Sequence, residues 1–144
     1  VGSNIGRRPL RLDIPILVSG MAYGFALSEK AKLALAKGAT RAGTATNSGY
    51  GPFLQSERDA AKHLILQYSR GEWSKKPEIL KKADAVEIQF GQGAMAGTGT
   101  VLKGNKMDKK LTGPLGLIPG EDAVLHARMP RYPHPTAWPV WWVT

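Results

Sequence analysis

The stretch AVEIQFGQGAMAGTGT, residues 85–100, runs from an apolar, strand-like segment into a loop with almost no side chains. Bare backbone allows a ligand or another part of the chain to come close. Gly91, Gly93 and Gly97 do not fit G-x-G-x-x-G, and no G-K-S/T follows. Two readings of this loop stay open: a structural glycine turn, or a loop that cradles an anion or a cofactor. Three other short segments, SGMAYG, TATNSGYG and LQYS, also contain polar or small residues where an apolar run ends. His126 and Arg128 could reach a substrate carboxylate as an alternative to metal ligation. Met21 and Met95 read as core residues that, at strand ends, could also touch a cofactor.

Other chemistries find less support. The chain has no cysteine, which excludes disulfides, thiolate metal sites, iron–sulfur ligation and a cysteine nucleophile within it. His126 and His134 lack a third ligand at sensible spacing, and His63 reads as an ordinary partly buried histidine. Asp84 and Glu87 flank the start of one strand, with Glu87 expected to face the helix layer, and they do not read as an acid/base pair. Ser19 and Ser28 have no histidine in a recognisable motif, so a hydrolase triad has no basis.

These residues need elements to hold them. IPILVSG, residues 14–20, reads as a short buried strand. Ser28 is a suitable N-cap for the helix SEKAKLALAKGATRAG, which Gly43 stops. Leu27, Ala31, Ala34, Leu35 and Gly38 are expected to form its packing face. GTATNSGYG is a brief strand feeding a loop, and SERDAAKHL opens a second helix with Ser56 as N-cap. LILQYS is a third strand, KPEILKKA a short helix with Pro near its start, and DAVEIQF a fourth strand. Strands alternating with helices predict a parallel α/β sheet or barrel, with ligands at the C-terminal strand ends. The polar and glycine-rich loops all lie at those ends.

With 144 residues, 42% hydrophobic and 22% charged, the composition is that of a globular domain with a real core. No run approaches the roughly 18 apolar residues of a membrane span, and no signal-peptide core is present, so cytoplasmic is the expected location. The formal charge is +9, but the basic residues are dispersed along helices. They read as solvated faces rather than a nucleic-acid footprint.

Quoted together, IPILVSGMAYGFALSEKAKLALAKGATRAGTATNSGYGPF, HLILQYSRGEWSKKPEILKKAD and ADAVEIQFGQGAMAGTGTVLKG resemble the FMN-binding barrel domain of glutamate synthases and their archaeal and bacterial relatives. The family shows G-M-S-F/Y-G-A-L/I-S after a strand, then a G-x-x-S/T-N-S/T-G-E-G-G turn, then A-D-A-I-E-I-K-x-A/G-Q-G-A-K-P-G-E-G-G. The resemblance implies a TIM-type (β/α)8 barrel, of which this chain carries roughly the first four β/α units. It implies FMN at the barrel mouth and an oxidoreductase that reduces 2-iminoglutarate, formed from 2-oxoglutarate and ammonia, to glutamate. Electrons would come from a reductase domain, a partner subunit or ferredoxin. By position, Met21 and Ala22 would meet the flavin through backbone, Thr46 and Asn47 would line its site, and Gln67 would bond the ring. Gln89 also belongs to the cofactor set, and Gln92, Met95, His126 and Arg128 to the substrate set. The family's iron–sulfur cysteines have no counterpart here.

The match departs at named positions. Gln89 and Met95 stand where the family has lysines, and Tyr50 and Pro52 replace a glutamate and a glycine. Losing a charge-assisted hydrogen bond at Met95 would forfeit roughly 1.5–3 kcal/mol of carboxylate binding. A relative acting on another substrate is therefore an equal reading. Residues 1–13 read as a lead-in, 14–128 as the N-terminal part of the barrel domain, and 129–144 as an atypical tail. HARMPRYPHPTAWPVWWVT holds four prolines and three tryptophans without helical or alternating period. A reading-frame change near Arg131, which gene sequencing would test, or a genuine apolar tail would both produce it. A complete barrel takes about 250 residues, so this chain alone is expected to be an inactive portion with an open sheet. Such a module would self-associate as a homodimer or dock with a complementary half-barrel.

Overall fold

Ser28 caps α1 (Glu29–Arg41) by accepting from the Ala31 N–H at 3.3 Å, and Glu29 and Arg41 suit the helix dipole at the two ends. The helix closes at Ala42, and Gly43 turns the chain at φ +67°. A side chain there would strike Asp13 as well as demand a left-handed backbone. Residues 9–91 and 98–127 are described by the computed structural model. The lead-in residues 1–8, the tail 129–144 and the candidates Gln92, Met95 and Arg128 lie outside the described residues.

The expected parallel α/β sheet is present. β1 (Thr46–Asn47), β2 (Leu64–Tyr68) and β3 (Ala85–Ile88) pair in chain order, all parallel. Gln67 stands opposite Glu87, and Asn47 opposite Ile65. Between the strands run α2 (Gln55–Ala60) and α3 (Pro77–Leu80), the latter with Pro in its first turn, where the missing N–H costs nothing. Ala36 of α1, Ala61 and Leu64 pack together with Phe53 and Ala60, so small side chains bring the helix layer close to the sheet.

Three local expectations are corrected. IPILVSG is not a strand: residues 13–15 bend, and Ile16 and Leu17 are 67% and 47% exposed. The segment leans on the backbone before β1 through Asp13 N–H to Gly43 O, Val18 N–H to Ala45 O and the Thr44 hydroxyl to Ile16 O. Those contacts serve only its inner side and are too sparse for a ladder. The buried stripe of α1 is Lys32, Ala36 and Ala39, while Ala34 and Gly38 are exposed. Ser56 does not cap α2; Leu54 precedes the helix without a side-chain cap, and Ser56 Oγ instead donates to Glu29 Oε1 at 2.9 Å.

A second unit lies beyond β3. β4 (Thr100–Leu102) and β5 (Ala123–Leu125) pair antiparallel, with α4 (Lys109–Leu115) between them. Asp108 caps α4 through the Leu111 N–H, and Gly116 ends it at φ +74°. Leu111, Leu115, Ala123 and Leu125 join Tyr23, Leu54 and Trp73 in the larger apolar cluster. Phe25 packs edge-on to Tyr50 at 5.4 Å and stacks on Trp73 at 5.8 Å, while Trp73 Nε1 donates to Tyr50 O at 2.8 Å. These aromatics tie together the loops that follow residue 20, β1 and β2.

Candidate functional site

The loop after residue 20 and the loop after β1 are packed backbone to backbone. A β-carbon at Gly49, φ +66°, would lie 2.6 Å from Ala22 N, and one at Gly51 would lie 2.6 Å from Tyr23 O. Only glycine permits so close an approach. Asn47 Oδ1 accepts the Gly49 N–H at 2.9 Å, a local turn that sets the loop's direction.

Lys32 holds the same two loops from below. Its Nζ donates to the carbonyls of Met21 (2.9 Å), Asn47 (2.6 Å) and Ser48 (3.2 Å), and pairs with Glu57 Oε1 at 3.0 Å. Burial pushes the Lys32 ammonium below its ordinary pKa, although the Glu57 charge and hydrogen bond oppose this. Burial likewise pushes the Glu57 carboxyl up against the opposing pull of Lys32 and Thr46.

On the opposite face of the sheet, Glu87 accepts from Asn47 Nδ2 at 2.8 Å and from Gln67 Nε2 at 2.5 Å. An ionised carboxylate only accepts, so both amides must turn their nitrogens toward it. Gln67 Oε1 therefore points away, and it is buried without a partner among the described residues. Gln89, which continues the ladder by donating its N–H to Tyr68 O at 2.9 Å, also has a buried, unpartnered Oε1 among the described residues. Buried amide oxygens are nearly always satisfied, so these two, in β2 and just beyond β3, are free acceptors for a donor not among the described residues. Gly20 borders it: a β-carbon there would sit 2.7 Å from Gln67 Nε2 and 3.1 Å from Asn47 Oδ1.

Each sequence candidate among the described residues has a definite place. Asn47 and Gln67, 2% and 4% exposed, share the face with Glu87. Met21 and Ala22 adjoin it, but their carbonyls are committed to Lys32 and to the Ala26 and Leu27 N–H groups. The Ala22 carbonyl, which accepts twice, is thereby taken up. Thr46 turns the other way, its hydroxyl 3.4 Å from Glu57 Oε1 in the helix layer. His126 is exposed beside Ala127, whose carbonyl accepts from Arg70 Nη1 at 3.1 Å at the end of β2. Asp84 is structural: its Oδ2 accepts from Leu64 N at 2.8 Å and from Arg58 Nη1 at 2.5 Å.

Glu87 was expected to face the helix layer, and the structure corrects this. The register places it level with Gln67, while Val86 and Ile88 take the other face. The alternation of Val86, Glu87 and Ile88 carried that signal. Lys32 and Arg70 were also missed; Lys32 sits one turn before Ala36 in the buried stripe, which is visible only once the stripe is known. A separate open groove of about 580 Å³ is lined by Tyr23, Lys30, Lys106, Asp108 and Lys110 among others, and by none of Asn47, Gln67, Glu87 or Gln89. It mixes both signs of charge and carries no orphaned buried group, so the amide face is the better candidate.

The conserved region in glutamate synthase matches residues 4–129. The glutamate synthase large subunit-like protein of Rhizobium meliloti (strain 1021) is 37% identical over 135 residues, which cover 94% of this chain and 30% of that protein. The archaeal glutamate synthase (NADPH) of Methanocaldococcus jannaschii is 36% identical over 115 residues, 80% of this chain and 22% of that protein. The glutamate synthase (NADPH) large chain of Bacillus subtilis (strain 168) is 35% identical over 106 residues, 69% of this chain and 7% of that protein. The chain thus spans less than a third of the length of these relatives. Among the described residues no helix is long and apolar enough to cross a membrane.

Proposed function

The chain belongs to the glutamate synthase family, and from that premise we propose that it forms the FMN-holding face of a (β/α)8 barrel, within roughly its first four β/α units. The carrying observation is the amide face, where Glu87 orients Asn47 and Gln67 and leaves Gln67 Oε1 buried without a partner among the described residues. These residues fit a flavin ring edge, which offers an N–H between two carbonyls. Gln67 Oε1 suits that N–H, and Gly20 leaves room for the ring to approach. Bound there, the flavin supplies reversible electron transfer between a donor domain, subunit or ferredoxin and an imino acid.

The chain's own part is binding, orientation and exclusion of water. Asn47 and Gln67 fix the ring edge, Met21 and Ala22 supply N–H contacts, and Thr46 supports β1 from the helix layer. Gln89, continuing β3, extends the face toward the substrate side, where Gln92, Met95, His126 and Arg128 are the proposed contacts. The reaction this reading supports is reduction of 2-iminoglutarate, formed from 2-oxoglutarate and ammonia, to glutamate. Gln89 and Met95 lack the cationic charge of lysine, so the alternative is another keto-acid-derived imine.

FMN titration of the purified chain, followed by flavin fluorescence and absorbance, tests the reading. Saturable binding with a shifted spectrum is expected. No spectral change up to high micromolar FMN refutes it for this chain.

A second reading has its own observation. Val86, Ile88 and Phe90, at alternate positions along and just beyond edge strand β3, are 49%, 55% and 66% exposed. Such an edge suits a module that self-associates or docks with a complementary half-barrel. Light scattering during size exclusion separates a dimer from a monomer.

A further inference from the structure

Arg70 follows β2 and is 4% exposed. Its Nη1 donates to the carbonyls of Thr98 (3.0 Å) and Ala127 (3.1 Å), which flank the β4–β5 pair. Nε is buried and has no partner among the described residues. The chain has eleven acidic side chains, and every one lies within the described residues. Among the described residues they form the ion pairs Lys32–Glu57, Arg58–Asp84, Lys75–Glu72 and Lys103–Asp122. None of these includes Arg70.

A buried guanidinium without a counter-charge is unfavourable. Two carbonyl dipoles compensate one of its nitrogens and leave the opposite edge. On that edge, Nε–H and the neighbouring Nη2–H run parallel, the spacing that suits two oxygens of one oxyanion. Glycine stands beside it: a β-carbon at Gly91 would lie 3.9 Å from Arg70 Cζ and 4.0 Å from Nη2. A longer side chain at that position would lie over the fork, and Gly91 has none.

We propose that Arg70 is an oxyanion-binding residue whose Nε–H and Nη2–H hold the paired oxygens of a carboxylate or a phosphate at the end of β2. The carbonyl clasp from Thr98 and Ala127 fixes the guanidinium plane, and Gly91 sets no side chain against it. The assignment stands on this geometry and does not require the flavin reading.

The test uses the full chain labelled with ¹⁵N, with the Arg70 Nε–H resonance assigned by comparison with Arg70→Lys. 2-Oxoglutarate and inorganic phosphate are titrated separately, with FMN binding followed in parallel. A saturable shift of that resonance by 2-oxoglutarate assigns a carboxylate, and a shift by phosphate alone assigns a phosphate. Binding is expected to weaken roughly tenfold in Arg70→Lys, which keeps the charge and loses the fork. Gly91→Val should weaken it similarly with the carbonyl clasp intact, which decides the matter if Arg70→Lys fails to fold. An Arg70 Nε–H unmoved by both probes at millimolar concentration overturns the proposal, as does unchanged affinity in Gly91→Val. Loss of FMN binding alone would count against the flavin reading and leave the oxyanion result standing.

Discussion

Lys32 and Glu57 form an ion pair of 3.0 Å with their side chains 1% and 3% exposed, and the same ammonium holds the carbonyls of Met21, Asn47 and Ser48. One helix residue thus sets the relative position of two loops that border the amide face. The favourable terms are many short bonds to one charge; the opposing term is desolvation of both ions.

Lys32→Met should be strongly destabilising, by about 3–5 kcal/mol, because it leaves Glu57 buried and unpaired. The double variant Lys32→Met with Glu57→Leu should cost less than the two single changes added together. Urea unfolding of the four chains checks this. Additive losses would mean the pair is not coupled as the geometry indicates.

Glu87→Gln tests the amide face. A glutamine there accepts one N–H and sets its own NH₂ against the other amide, so Asn47 or Gln67 must turn. FMN affinity should fall roughly tenfold, with a stability loss of about 1–3 kcal/mol or less. The side-chain amide resonances of Asn47 and Gln67 should both move. Unmoved resonances would show that Glu87 does not orient them.

Gly20→Ala places a methyl 2.7 Å from Gln67 Nε2. Gln67 is buried and hydrogen-bonded to Glu87, so it yields poorly. Overpacking of about 1–3 kcal/mol is expected, together with loss of FMN binding. Titration and thermal unfolding of the same sample measure both, and retained affinity would show that the face tolerates displacement of Gln67.

Asp84 should contribute to acid stability. Its burial tends to raise the carboxyl pKa, but the Arg58 hydrogen bond, the Leu64 N–H and the charges of Arg58 and His63 outweigh this and lower it. A carboxyl lowered in the folded state stabilises above its unfolded value and loses that contribution as pH falls through the folded one. Stability should therefore decline as pH drops below about 4, and Asp84→Asn should flatten that decline while costing about 1 kcal/mol at neutral pH. Denaturant midpoints across the acid range decide it.

Ile88→Lys tests the exposed strand edge. If β3 mediates self-association, the variant should elute as a monomer where the parent chain elutes as a dimer. Identical elution of both as monomers would remove the self-association reading.

Sequence by itself determined the features that depend on near neighbours. Ser28 as a cap, Gly43 as a stop, Pro77 at a helix start and the apolar runs of β2 and β3 are local choices, set by backbone sterics and short-range hydrogen bonds. The motifs around residues 14–52 and 85–104 sufficed to identify the family. Only the tertiary structure decided which of two similar faces each element buries. In α1 the alanines and leucines allow more than one stripe, and the choice fell to Lys32, whose partners lie in distant loops and in α2. In β1 it sent Thr46 to the helix layer and Asn47 to the amide face, and in β3 it turned Glu87 toward Gln67. The 14–20 segment reads as a buried strand because it is apolar, yet burial needs a neighbour on each side, and among the described residues it leans on one. Charge compensation is likewise non-local. Nothing in the residues around Arg70 reveals that, among the described residues, its buried guanidinium has no carboxylate partner, because that depends on where the acidic side chains of the fold have gone.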